Sequence, residues 1–100
     1  MALLQLSMIP MGAGISVGDY VARIQEKLAD ENAVFHLTDM GTLIEGDIQD
    51  LLQLVGKIYE TPFEQGAIRV VTNIVIDDRR DQETHIGDKI NSVNKRTQKV

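Results

Sequence analysis

The stretch TDMGTLIEGD, Thr38 to Asp47, packs a hairpin and a helix start into one short piece of chain. Val34 to Thr38 reads as a short strand and Thr42 to Gly46 as a second, with Asp39, Met40 and Gly41 making the turn. Gly41 can take positive φ without a steric penalty, as a tight hairpin connection usually requires. Asp47 then supplies a helix N-cap where the second strand ends. The same piece carries Glu45, a carboxylate inside an otherwise apolar strand.

On the N-terminal side, Leu3 to Pro10 alternates, with Leu4, Leu6 and Met8 on one face and Gln5, Ser7 and Ile9 on the other. Pro10 ends that strand because it cannot donate a ladder hydrogen bond. Met11 to Ile15 reads as a loop loosened by Gly12 and Gly14. Ser16 with Asp19 three residues on has the form of a capping box. The helix it opens places Val17, Tyr20, Val21, Ile24 and Leu28 on one apolar stripe, and the polar run Asp30-Glu31-Asn32 closes it.

After the hairpin, a second helix is expected from Ile48 to about Glu60, with Ile48, Leu51, Leu52, Val55, Ile58 and Tyr59 buried and Pro62 as its stop. Gly56 in its interior costs roughly 1 kcal/mol against Ala, which points to close packing there. Ala67 to Asp77 is the clearest strand. The charged run Asp77 to Asp81 and a polar tail follow, in which Ile86, Ile90 and Val93 stand at helical spacing. A helix that short must dock on something to be stable.

The order β-α-β-β-α-β is the split pattern of a ferredoxin-like sandwich, an α+β fold. Two helices would cover one face of a four-stranded antiparallel sheet, with the first and third strands central and a short C-terminal helix after them. The chain makes a single domain over residues 1–100, with its core at about 2–78 and a polar extension at 79–100. Strand parity puts Gln5, Ser7, Ile9, His36, Thr38, Leu43, Glu45, Arg69, Val71, Asn73 and Val75 on the open face. Leu43, Val71, Val75 and Ile9 exposed together make a patch larger than soluble monomers usually tolerate. Another subunit is therefore expected to cover this face; the alternative is that the C-terminal segment folds over it.

Composition narrows the function. Residues before Asp77 hold ten acids and four bases, within a formal net charge of −5, so a phosphate backbone is a poor partner and a cationic or neutral ligand a better one. The chain has no Cys, hence no thiolate metal site, thiol nucleophile or disulfide, which suits a reducing, cytoplasmic setting. The N-terminal run MALLQLSMIP lacks the basic flank and cleavage site of a signal peptide. Nothing approaches the about 18 consecutive apolar residues of a membrane span.

Motifs exclude further classes. Gly12-Ala13-Gly14 and Gly18 miss the dinucleotide-binding spacing. His36 and His85 have no partners at metal-ligand spacing, so no metal is expected. The first strand and the third have no aromatics for stacking RNA bases, and the loop after the first strand has no Arg for an acylphosphatase. No nucleophile–base pair is visible, so the chain reads as a non-enzyme. Asp77 to Asp81 reads as a solvated or self-paired strand end, or as a source of inter-subunit pairs.

Glu45 is the sharper feature, because an unpaired buried carboxylate is costly. It is either exposed or paired with another subunit, or it serves as an acceptor or counter-charge for a cationic ligand. Ser7, Thr38 and Asn73 on the same face offer hydrogen bonds around it.

The element Ser7 to Pro10, the stretch TDMGTLIEGD and above all PFEQGAIRVVTNIVIDDRRD, Pro62 to Asp81, resemble the small single-domain thiamine-binding proteins, relatives of the tandem-domain thiamine and hydroxymethylpyrimidine binder YkoF. The resemblance covers nearly the whole chain. It implies a ferredoxin-like fold, dimers that pair as tetramers, no catalysis, no cofactor beyond the ligand, and binding of thiamine or its pyrimidine precursor for salvage or transport. Carried over, Ser7, Thr38, Met40, Gly41, Thr42 and Glu45 are the ligand candidates, with Asn73 a further one. Asp39 departs from the pattern, where Pro is expected before Met-Gly. In this picture Glu45 pairs with a ligand nitrogen, Ser7 or Thr38 fixes orientation, Met40 lies against a flat ring, and Phe35 or Phe63 offers a cation–π face. Glu45→Gln is then expected to weaken binding without unfolding the chain.

Overall fold

The structure is a computed structural model that describes residues 1–12 and 16–98, so the loop expected at Met11 to Ile15 and the Gly12-Ala13-Gly14 run fall partly outside the described residues, as does the end of the tail. The alternating N-terminal stretch forms β1 (Ala2–Pro10), whose Ala2, Leu4, Leu6 and Met8 are all buried. Helix α1 (Val17–Asp30) buries Tyr20, Ile24 and Leu28, each four residues from the next. Ser16 occupies its N-cap, but the capping box does not form through side chains; the Asp19 N–H donates to the Ser16 carbonyl instead, at 3.1 Å. The other end closes as the polar run implied. Asn32 takes φ 57°, while its N–H reaches Ala29 O and the Ala33 N–H reaches Leu28 O, the paired bonds that satisfy a helix C-terminus.

The hairpin joins β2 (Val34–Thr38) to β3 (Gly41–Gly46) through Asp39 and Met40 alone. Gly41 is therefore the first residue of β3 rather than part of the turn. A Cβ there would stand 3.0 Å from the Leu6 carbonyl oxygen, so the close approach of β1 requires glycine.

Helix α2 (Ile48–Ile58) follows Asp47, which takes the N-cap position without a side-chain capping bond. Leu51, Val55 and Ile58 are buried, whereas Leu52 and Tyr59, expected inside, are 46% and 42% exposed. Leu54 packs against the core in their place. Gly56 also departs from expectation: it lies on the solvent side of α2, with nothing within 4 Å of a Cβ built there.

Pro62 does not simply stop α2, which ends earlier. It opens a four-residue turn, α3 (Thr61–Glu64), where its missing N–H costs nothing. The Ala67 N–H then bonds the Pro62 carbonyl to close that turn, so Ala67 is not free to enter a ladder and β4 runs only from Val70 to Asp78.

The sheet order is β2-β3-β1-β4, antiparallel throughout, with β1 and β3 central as the sandwich requires. The core clusters β1 and Ile44 against Ile24 and Leu28 of α1 and Leu51, Val55 and Ile58 of α2. Burying each of these Leu, Ile or Val side chains contributes about 1.5–3 kcal/mol.

The open face holds the residues that strand parity assigned to it, except Arg69, which precedes β4 because that strand starts late. Its successive rows run Val34–Glu45–Leu3–Asp77, then His36–Leu43–Gln5–Val75, then Ser7–Asn73 and Ile9–Val71. Beyond β4, α4 (Asp88–Thr97) forms at the expected stripe, but Ile90 and Val93 remain 64% and 54% exposed. The apolar stripe of this helix is thus undocked among the described residues, where it was expected to pack. The radius of gyration, 15.4 Å, accordingly exceeds the about 13 Å of a compact domain this long.

Candidate functional site

Opposite ends of β3 carry different chemistry. At the hairpin end, a cleft of about 560 Å³ opens between α1 and the β2–β3 connection. That volume lies within the range of small-ligand sites. Leu6, Met8, Val21 and Leu37 supply apolar wall, and Met40, 82% exposed, stands at the hairpin tip.

The hairpin wall is held by its own side chains. Thr38 Oγ1 donates to the Gly41 carbonyl at 2.8 Å and accepts from the Met40 N–H at 3.3 Å. Neither Asp39 nor Met40 has positive φ. The Thr38 hydroxyl thus stabilises a two-residue turn made without the glycine geometry that such turns favour. Deeper in the cleft, Gln25 Nε2 donates to Thr42 Oγ1 at 2.9 Å. Asp39 is the one carboxylate among the described lining residues.

At the other end, Glu45 is fastened to the C-terminal segment. His85 Nδ1 lies 2.6 Å from Glu45 Oε2, and the Ile86 N–H donates to Glu45 Oε1 at 3.2 Å. Lys89 Nζ meets Asp77 Oδ2 at 3.0 Å. Glu45 and Asp77 flank Leu3 on neighbouring strands, so residues 85–89 form a strap across β3, β1 and β4. The hydrogen bond that Glu45 accepts raises the His85 pKa above 6.5, with help from the charges of Glu45 and Asp88 and from a contact with Glu83; desolvation opposes the shift without cancelling it.

Of the residues expected at a ligand site, Ser7, Thr38, Met40, Gly41 and Thr42 line the cleft together. Glu45 and Asn73 do not join them. Glu45 sits three residues beyond Thr42, roughly 10 Å along the strand, and points to the opposite face. Asn73 is paired with Ser7 in register but is exposed, and no residue of β4 is among the described residues that line the cleft. Phe35 packs against the core and Phe63 stands 6.0 Å from the Tyr59 ring, so neither reaches the cleft.

Gln25 was not among the expected residues. Its signal is faint: a polar side chain four residues after Val21, on the border of the apolar stripe. The charged run is paired within itself, Arg79 with Asp81 through two bonds and Arg80 with Asp78. The Arg79 bond holds the Asp81 carboxyl below its usual pKa. Among the described residues, no cluster of three or more His, Asp or Glu could hold a metal, and no helix is long and apolar enough to cross a membrane.

The profile of a family described as thiamine-binding protein matches residues 4–94. The UPF0045 protein YqgV of Bacillus subtilis is 46% identical over 103 aligned positions, covering 98% of this chain and 99% of that one. The crystal structure of a hypothetical protein from Methanocaldococcus jannaschii superposes with a TM-score of 0.81 at 30% identity, over 93% of this chain and 95% of the other. A Thermotoga maritima protein assigned provisionally to thiamine biosynthesis or salvage shares the fold, with a TM-score of 0.78 at 20% identity over 92% and 97% of the two chains. The family match begins inside β1 and ends inside α4, so it spans the elements that build both the cleft and the strap. The chain belongs to the thiamine-binding protein family.

Proposed function

We propose that this protein binds thiamine or its hydroxymethylpyrimidine moiety in the cleft between α1 and the β2–β3 hairpin, without catalysis, in cytoplasmic salvage or transport. The observation that carries this reading is the convergence of Ser7, Thr38, Met40, Gly41 and Thr42 on one small-ligand-sized cleft in a chain of this family. The cleft offers apolar wall for a flat ring and hydrogen-bonding groups on its floor. Asp39 at the hairpin favours a cation over an anion, with modest effect because it is exposed.

The reading includes self-association. Ile9, Val71 and Val75 lie on the open face at 42%, 39% and 64% exposure, and the strap crosses only one row of that face. A second copy covering the remainder would bury them, giving dimers that pair as tetramers. A competing reading, a structural or regulatory oligomer without a ligand, draws on this same patch.

Calorimetric titration with thiamine and, separately, hydroxymethylpyrimidine tests the proposal, with the mass in solution measured alongside. Saturable binding near one ligand per subunit is expected. No heat from either ligand on a folded oligomer would leave assembly as the role of the fold.

A further inference from the structure

Most side chains that face the cleft from the helix side of the sheet are apolar, and Gln25 and Thr42 are bonded to each other among them. Thr42 is 4% exposed and Gln25 is half-buried. A carboxamide has two N–H donors and an acceptor oxygen. One N–H of Gln25 is taken by Thr42 Oγ1. The second N–H and Oε1 remain as a neighbouring donor and acceptor, and no further protein bond to them occurs among the described residues.

Such an edge is complementary to a ring nitrogen beside an exocyclic amine, since the ring nitrogen accepts and the amine donates. Gln and Asn read adenine through this same match of donor and acceptor. The bond to Thr42 restricts the rotation of the amide and occupies one of its two N–H groups, leaving the other and Oε1 for a ligand. Partly desolvated groups of this kind penalise a ligand that cannot satisfy them.

We propose that the Gln25 carboxamide, oriented by Thr42, reads the amino edge of an aminopyrimidine ring in the cleft. Gln25 is then the residue that selects the pyrimidine, and Thr42 is a positioning residue that acts through it. This rests on the reading of the cleft as the ligand site. The thiazolium part of thiamine is left toward the mouth, near Met40 and Asp39.

The test is calorimetric titration of wild type, Gln25→Leu, Gln25→Met and Thr42→Val with hydroxymethylpyrimidine and with its oxo counterpart, in which a carbonyl replaces the exocyclic amine. Wild type should prefer the amino ring by about tenfold or more. Gln25→Leu should lose about tenfold in affinity for the amino ring and most of the preference. Gln25→Met keeps the length of the side chain and removes both hydrogen-bonding groups, so it should lose the preference even if the Leu variant fails to fold. Thr42→Val should narrow the preference less, at unchanged ligand stoichiometry; a merely structural hydroxyl would lower the melting temperature and leave the amino-to-oxo ratio where it was. Wild-type affinity and preference in a folded Gln25 variant would overturn the inference and leave the proposed function standing. Failure of wild type to bind either ring would overturn both.

Discussion

Glu45 Oε2 stands 2.6 Å from His85 Nδ1, across 40 residues of sequence, and this contact fastens the C-terminal segment to the sheet. Because the contact raises the folded pKa of His85 above its ordinary 6.5, the strap is linked to pH. A raised histidine pKa contributes stability that is fully present below the unfolded value, and this stability is lost as pH rises through the folded value. The difference in melting temperature between wild type and His85→Gln should therefore be largest below about pH 6.5 and shrink as the solution becomes alkaline. A difference that stays constant with pH would sever the strap from protonation.

Glu45→Gln separates the two ends of β3. It should weaken the bond to the Ile86 N–H, so that this amide exchanges its hydrogen faster, while affinity at the cleft stays within about twofold. The geometry thus reverses the expectation that this substitution weakens binding. A large loss of affinity in the variant would show that the strap end and the cleft are coupled.

Gly56→Ala should stabilise the protein by about 1 kcal/mol, because the new methyl meets open space and the helix gains backbone restriction. Denaturant unfolding checks it. No gain would mean that the solvent face of α2 is covered in solution.

Thr38→Val removes the hydroxyl that bonds both Gly41 O and Met40 N while keeping the shape of the side chain. A loss of about 1 kcal/mol in unfolding free energy is expected, with lower affinity at the cleft because the hairpin wall becomes less fixed. Unchanged stability would place the turn under the control of backbone pairing alone.

Leu28→Ala should cost about 2–5 kcal/mol, since Leu28 is fully buried in the cluster shared by β1, α1 and α2. Chemical denaturation gives the number. A cost below this range would indicate that α1 settles inward to fill the space.

The order of elements, the sheet parity and most of the α1 stripe were legible because each rests on a short-range period; Val17, expected on that stripe, is 54% exposed because it opens the helix, ahead of the turns that pack on the sheet. Leu4, Leu6 and Met8 point inward with the alternation that their sequence spells out. The α2 stripe was less legible. Leu52, Leu54 and Tyr59 all lie near its border, and which of them is covered depends on how far the helix is rolled against the sheet. Gly56 misled for a related reason, since a glycine on the outside of a helix looks the same in sequence as one beneath a neighbour.

Four cleft residues, Thr38, Met40, Gly41 and Thr42, were drawn together by one continuous motif and Ser7 by a second, but the partner of Glu45 was not foreseeable. His85 follows a charged run that gives no hint of where the chain turns. Gln25 was hidden because its significance comes from Thr42, on β3, beyond the next strand and its turn.

Parity gives β3 a further property. Thr42 points to the helix side, where Gln25 holds it, and Glu45 points to the open side, where His85 holds it. A slip of one residue in the pairing of β3 with β1 would send both to the wrong faces at once, with a carboxylate driven toward the core and the cleft floor turned to the open face. Gly41, packed against the Leu6 carbonyl where a side chain would not fit, opposes that slip. Alignment between two strands is thus a shared tolerance for both ends of the molecule, and an insertion of one residue in this hairpin would disable cleft and strap together.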